Sequence, residues 1–361
     1  MNTFFLDRLN SEPHALAFAG QSTPWPVALA DQSANPALDE ALHTHAAAAQ
    51  ALLYPVSAEL LATTGRPVDL FGFEPNPARL GAAAAASASV PGIALTQLGA
   101  LLDAAALGYN PAQAKPVAVL GHSQGVLAVH MVQAICEAGS IDAAAAKIDE
   151  ILAIATLIGV AGTRQARQLG LAARHGEATP MLSVKDITRA QVDALIERVD
   201  GARGPIAVAV TNSATHYVLS GYPEDLAAFG VEVAKEHKRQ AKLREEKVRG
   251  GRVFDPTLEY LDVTLPFHSP LMADAVSQAV AWAEACGINA DHARELAAEV
   301  LLNHVDWDAR VRDLMKSTDP SALWVLDFGP GNTVGKLFST VAQGTGVGVV
   351  EASTVADRGA L

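Results

Sequence analysis

The sequence predicts an α/β protein, a large domain with buried parallel strands interrupted by a small ferredoxin-like insert. Two features carry that expectation. The first is a short apolar run at 116–120 that passes through Gly121-His122-Ser123-Gln124-Gly125 into a helix over 126–138, closed by Gly139. Strand, sharp turn and helix in that order make one α/β unit, with Gly supplying the left-handed C-cap. The second is a change of texture near Pro180, where a β-α-β-β-α alternation begins.

Each element follows from its pattern. The uncharged stretch 80–102 is rich in Ala and Ser. It reads as a small-residue helix broken at Pro91-Gly92, not as a membrane span. Residues 141–160 read as a second helix, apolar at Ile148, Ile151, Leu152, Ala155 and Ile158. In the insert, 181–184 is a strand and 188–199 a helix with Thr188 as N-cap. Two strands follow at 206–210 and 217–221, then a mostly helical segment at 223–242, and the run ends in a strand at 261–265. The large domain resumes with the apolar strand Leu323-Trp324-Val325-Leu326-Asp327-Phe328. Pro330-Gly331 forms the loop at its C-terminal end, the edge where open α/β sheets place their sites. The expected division is 1–179 with 266–361 for the large domain and 180–265 for the insert.

Composition narrows the function. Of 361 residues, 50% are hydrophobic and 18% charged, enough for a sizeable core. A net charge of −13 argues against nucleic acid as a partner. The basic stretch 235–252, with eight Lys/Arg against three Glu, is either a solvated helix and loop or a contact for CoA phosphates or an acidic carrier protein. Cys136 and Cys286 offer neither a disulfide framework nor metal-ligand spacing, and are expected to pack in apolar surroundings. The start, Met1-Asn2-Thr3-Phe4-Phe5-Leu6, meets Asp7 and Arg8 before any apolar leader of useful length. A cytoplasmic protein without membrane attachment, metal or bound cofactor is expected.

Gly121-His122-Ser123-Gln124-Gly125 fits G-x-S-x-G between a strand and a helix, the setting of a nucleophile elbow. Ser123 is the candidate nucleophile, and the helix N-terminus behind it favours a developing oxyanion. A serine needs a base. The candidate is His268 in Pro266-Phe267-His268-Ser269-Pro270, because His122 flanks the serine and its side chain should point away. The backbone N–H of Gln124 would give one oxyanion donor and that of Gln21, after the apolar stretch 15–18, a second. Asn212, in Thr211-Asn212-Ser213, either lines the pocket or is a turn residue. Chain order also permits a Ser–Asp–His triad through Asp255 or Asp262.

With Phe18-Ala19-Gly20-Gln21, GHSQG, Phe267-His268-Ser269 and Asp327-Phe328-Gly329-Pro330-Gly331, the chain resembles the acyl-carrier-protein acyltransferase family of fatty acid and polyketide synthases. It is more similar still to the acetyl/acyl transferase domain at the N-terminus of bacterial type I fatty acid synthases. Gly72-Phe73-Glu74-Pro75, Val90-Pro91-Gly92, Leu157-Ile158-Gly159 and Lys247-Val248-Arg249-Gly250-Gly251 support this, in the expected order along nearly the whole chain. The resemblance implies an α/β-hydrolase-like large domain with the ferredoxin-like insert. It implies Ser123 as acyl carrier, His268 as base and then acid, and the Gln21 and Gln124 amides as oxyanion donors. It also implies that backbone carbonyls of the GPG loop, around Asn332, orient the histidine.

Relatives that take malonyl groups hold the free carboxylate with an Arg on the helix after the elbow. Here no Arg lies between Ser123 and Arg164. The matching position is Ile158, which would leave a malonyl carboxylate unpaired at a cost of several kcal/mol. Arg164 and Arg167 are expected at the surface. The resemblance thus implies transfer of an acetyl group from acetyl-CoA, through a Ser123 ester, to the phosphopantetheine thiol of an acyl carrier protein. That would prime fatty acid synthesis within a larger fatty acid synthase multienzyme, whose other domains would be partners. The alternatives are a malonyl-loading transferase, an α/β-class thioesterase or esterase, and an inactive structural module.

Overall fold

The computed structural model describes residues 11–65, 67, 69, 85–171, 178–245 and 254–351. Gly72-Phe73-Glu74-Pro75, Lys247-Val248-Arg249-Gly250-Gly251 and the end of the basic stretch lie outside the described residues. The elements used below are β1 (His14–Phe18), α1 (Ala86–Ala106), β2 (Ala118–Gly121), α2 (Val126–Ala138), α3 (Ala145–Gln168), β3 (Met181–Lys185), α4 (Arg189–Ile196), β4 (Ala207–Ser213), β5 (His216–Ser220), α5 (Pro223–Glu245), β6 (Thr257–Tyr260), α6 (Ala273–Ala285), α7 (Ala290–Leu301), β7 (Val305–Asp306), α8 (Trp307–Ser317), β8 (Trp324–Asp327), α9 (Thr333–Val341) and β9 (Gly348–Glu351).

The first sheet is parallel, in the order β2-β1-β8-β9. All five β1 residues are buried, as the middle of a sheet covered on both faces requires. On one face, Leu16, Phe18, Leu326 and Phe328 join the main core with α1, α2, α3 and α6. On the other, Ala15, Ala17 and Val325 pack against Trp307, Val334 and Phe338 of α8 and α9. α2 spans 126–138 and ends at Gly139 with φ 88, so the C-cap expected from sequence is formed. α1 is long and apolar enough to cross a membrane by length and composition, yet here it lies in the main core against α3.

The second sheet has the order β6-β3-β5-β4-β7. Strands β3 to β6 pair antiparallel in the spatial order fourth, first, third, second, which is the ferredoxin-like arrangement. α4 and α5 cover it over Leu182, Val184, Val192, Leu219 and Phe229. Thr188 caps α4 in a reciprocal capping box with Gln191. The fifth strand, β7, comes from residues beyond the expected insert and pairs parallel with β4, Val210 opposite Val305 and Thr211 opposite Asp306.

Several expectations need correction. The last insert strand is 257–260, not 261–265. Val263 and Leu265 are buried in the main core and pair with no strand among the described residues, because an apolar run reports burial and not pairing. The true strand, Thr-Leu-Glu-Tyr, is an edge strand with mostly exposed side chains, which leaves no apolar signal. α1 runs unbroken through Pro91. Burial along its length, and tertiary bonds that its first amides donate to Thr264 Oγ1 and Thr163 Oγ1, outweigh the one hydrogen bond that proline removes. α3 starts and ends later than expected, at 145 and 168. Cys136 is exposed and Cys286 only partly buried; Cys136 falls on the outward stripe of α2 with Gln133. In the described part of the basic stretch, Arg239 and Lys235 are paired with Glu236 and Glu232, the pattern of a solvated helix.

Candidate active site

Strands β1, β2 and β8 are parallel neighbours, so the loops leaving their C-terminal ends meet at one edge of the sheet. After β2 the chain enters a tight turn at Ser123–Gly125 in which Ser123 has φ 54. A non-glycine residue in this region stores strain and persists only where its surroundings over-determine it. They do so here through close backbone approach. A Cβ on Gly125 would lie 2.3 Å from the Phe18 carbonyl oxygen, and one on Gly20 would lie 2.8 Å from Ser123 Cβ. The glycines of both motifs let the β1 and β2 loops touch around the serine.

Ser123 Oγ lies 2.7 Å from His268 Nε2, within the reach that general-base catalysis requires. His268 is 2% exposed and, like Ser123, has positive φ, 56°. Its Nδ1 donates to the Asn303 carbonyl at 2.7 Å, which leaves Nε2 unprotonated to accept from the serine. Burial holds the imidazole down at about 3, aided by His122, His304 and Arg310 and opposed by the Asn303 carbonyl. His268 is therefore in its neutral, base form at neutral pH.

The carbonyl that orients His268 belongs to Asn303 and not to the loop around Asn332. The Asn332 carbonyl instead accepts the Lys336 amide at the start of α9. The GPG loop has a different task. The Asp327 carboxylate accepts from the Gly329 and Gly335 amides, each at 2.8 Å. Burial raises this carboxyl to about 6 against the pull of those two amides. Gln97 Nε2 donates to the carbonyls of Ala19 and Gly329, which ties the GPG loop to the end of β1. The third-acid alternative finds no support, since Asp255 sits beside His237 at 3.4 Å and His268 Nδ1 faces a carbonyl.

Gln21 Nε2 donates to Gln124 Oε1, and Gln124 Nε2 donates to the Val90 carbonyl at 3.0 Å. The two loops whose backbone amides are the candidate oxyanion donors are thus joined through their own side chains. His122 points away from Ser123, as expected. Its Nε2 bonds Asn212 Oδ1 at 2.8 Å and its ring meets Trp307 edge-on, 5.4 Å between centroids. Asn212 Nδ2 lies 3.4 Å from His216 Nε2, and that nitrogen also meets Ser183 Oγ at 3.0 Å. Burial pushes His216 down to about 4. Asn212 therefore ties the insert to the elbow, and its polar groups go to His122 and His216. Ile158 is fully buried in α3 within the main core, and the hydrogen bonds of Ser123 and His268 do not extend to it.

Arg164 and Arg167 face outward at the far end of α3. Arg164 donates to Gln278 at 2.7 Å and lies over the Trp282 ring; Arg167 donates to the Thr63 carbonyl. Sequence reasoning missed Asn303, Trp307 and Arg310, which donates from Nη1 to the Gly121 carbonyl at 2.9 Å. Asn303 acts through its backbone, which no side chain announces, and the two-residue strand β7 that places this segment is too short to leave a pattern. Among the described residues no group of three His, Cys, Asp or Glu is close enough to hold a metal ion.

Residues 180–260 match the family model of the fatty acid synthase central AT domain. The sequence is also similar to part of several fatty acid synthase beta subunits. It is 25% identical over 268 residues to the fatty acid synthase beta subunit hexB of Dothistroma septosporum, covering 64% of this chain and 14% of that protein. Against the fatty acid synthase subunit beta of Saccharomyces cerevisiae it is 25% identical over 301 residues, covering 74% and 14%. The chain thus spans about a seventh of the length of these relatives. Among solved structures it shares its fold with MCAT from Mycobacterium tuberculosis, at a TM-score of 0.61 and 20% identity over 95% of this chain and 98% of the other. It matches malonyl CoA-acyl carrier protein transacylase (fabD) from Coxiella burnetii at 0.59 and 15%, over 96% and 98%. The α/β fold with its second, ferredoxin-like sheet is therefore that of the MCAT and FabD acyltransferases.

Proposed function

We propose that this chain is a serine acyltransferase that takes an acetyl group from acetyl-CoA and passes it to the phosphopantetheine thiol of an acyl carrier protein. The observation that carries this reading is the Ser123–His268 contact at 2.7 Å, with His268 held by a carbonyl at Nδ1. Ser123 Oγ gives its proton to His268 Nε2 and attacks the thioester carbon. The Gln21 and Gln124 amides receive the oxyanion. The tetrahedral intermediate collapses, the C–S bond breaks, and His268 returns the proton to the CoA thiolate. The carrier thiol then attacks the Ser123 ester by the same steps in reverse, which makes the reaction ping-pong. No step needs a metal or redox group.

The acetyl preference rests on the sequence between Ser123 and Arg164, which holds no Arg, and on the outward course of Arg164 and Arg167. A malonyl carboxylate in an apolar pocket would lack the bidentate guanidinium it needs. Similarity to fatty acid synthase subunits supports a role beside other synthase domains; we place that role in the cytoplasm and propose 1–179 with 266–361 as the large domain and 180–265 as the insert. The test is partition of label. Given labelled acetyl-CoA and a holo acyl carrier protein, the chain should load the carrier faster than it releases free acetate. Faster acetate release would make it a thioesterase, and a preference for malonyl-CoA in direct competition would overturn the acetyl assignment.

A further inference from the structure

One short segment touches the reacting pair and its elbow at three points. The Asn303 carbonyl holds His268, the Trp307 indole meets His122, and Arg310 Nη1 donates to the Gly121 carbonyl at 2.9 Å. Between the first two lies β7, in register with β4 of the insert. The same backbone that orients the base therefore reaches back to the nucleophile's own strand.

The Gly121 carbonyl has a particular need for that donor. The His122 N–H bonds the Phe18 carbonyl of β1 at 2.9 Å. In a trans peptide the carbonyl points opposite to the N–H, so the Gly121 carbonyl faces away from β1. Among the described residues β2 is the edge strand of the sheet, with no neighbouring strand on that side to supply an N–H. Ser123, held at φ 54, follows one residue beyond that peptide, and such a strained conformation persists only where the surrounding backbone is held in place. The guanidinium comes from an exposed residue of α8. A charged donor makes the stronger class of hydrogen bond.

We propose that Arg310 is a positioning residue for Ser123, whose guanidinium anchors the Gly121–His122 peptide on the open edge of the sheet and keeps the elbow in register with His268. This rests on the acyltransferase reading above. The charge of Arg310 also faces His268, together with His122 and His304. Ser123 and the Asn303 carbonyl are the other groups that bond the imidazole. Loss of the guanidinium charge removes one influence that favours the neutral ring.

The test is single-turnover acylation of Ser123 by acetyl-CoA, followed against pH, in the whole chain and its R310A and R310K variants, with thermal unfolding recorded for each. R310A should acylate about 10-fold more slowly or worse, as loss of a charge-assisted hydrogen bond implies. The acetyl-CoA concentration at half-saturation should be unchanged, and the acid limb of the rate should move to higher pH. Millimolar guanidinium ion should restore part of the R310A rate, and R310K should keep part of it. An R310A rate equal to wild type overturns the proposal. So does a loss that neither guanidinium nor R310K recovers and that leaves the acid limb in place, because that is damage to the fold. If the unaltered chain forms no acyl-enzyme, the acyltransferase reading itself fails and the proposal falls with it.

Discussion

Replacing His268 by alanine should slow acylation of Ser123 by about 10³-fold, with most of the effect in the chemical step and little in CoA binding. His268 Nε2 is the ring nitrogen at 2.7 Å from Ser123 Oγ. The nearest other histidine in sequence, His122, has its Nε2 bonded to Asn212 and cannot substitute without repacking against Trp307. Rapid-quench acylation with labelled acetyl-CoA reads the rate, and a drop of less than about tenfold would remove His268 from the mechanism. The pH dependence has a definite sign. Burial holds His268 near 3 and His216 near 4 in the folded chain, below the 6.5 of a free imidazole. The base form persists well below pH 6.5, so the acid limb of acylation should lie below that value. Stability runs the same way. As pH falls below about 6.5 the unfolded chain takes up protons that the buried rings refuse, so folding weakens from there down to the folded pKa values.

Gly125→Ala should have the second largest effect, this time on the scaffold. Its Cβ would stand 2.3 Å from the Phe18 carbonyl oxygen, 2.8 Å from the Phe18 carbonyl carbon and 2.9 Å from the Ala19 oxygen. All three are backbone atoms, at the end of β1 and in the loop that follows it, and cannot rotate aside. The elbow must move away from the β1 loop, which separates the Gln124 and Gln21 amides. We expect a loss of roughly 3 kcal/mol of stability and at least about 10²-fold in acylation, since a displacement near 1 Å at a reacting centre costs that much. Gly230→Ala in α5 is the control, because its nearest neighbour is a Leu258 methyl at 3.5 Å. Chemical denaturation and the acylation rate together check both variants. Unchanged behaviour of Gly125→Ala would mean that the elbow does not depend on this contact.

The elbow was legible in the sequence because everything it needs is local: an apolar strand, two glycines around one serine, and a helix closed by Gly139. The ferredoxin-like order was legible for a related reason. Strands β3 to β5 are apolar and α4 carries its own cap at Thr188, so each element signals itself. β6 left no such mark, since an edge strand exposes its side chains, and the apolar residues just after it drew the boundary four residues too late. His268 was identifiable through its motif, but the group that orients it was not. The Asn303 carbonyl is brought there by the pairing of β7 with β4 across about a hundred residues of chain. Asn212 reads from sequence as either a pocket residue or a turn residue; it lies in strand β4 and bonds His122, a tie visible only once both sheets are assembled. Arg310 had no sequence signal at all, because its role depends on the open side of β2.

The most direct test is the intact mass of the chain after brief exposure to an equimolar mixture of acetyl-CoA, malonyl-CoA and longer acyl-CoAs, with the Ser123→Ala variant alongside. The proposed acetyl transfer predicts a single adduct of one acetyl group on the unaltered chain, mapped to Ser123 by fragmentation and missing from Ser123→Ala. An unmodified mass, or an adduct that survives in Ser123→Ala, would contradict the assignment of Ser123 as the acyl carrier.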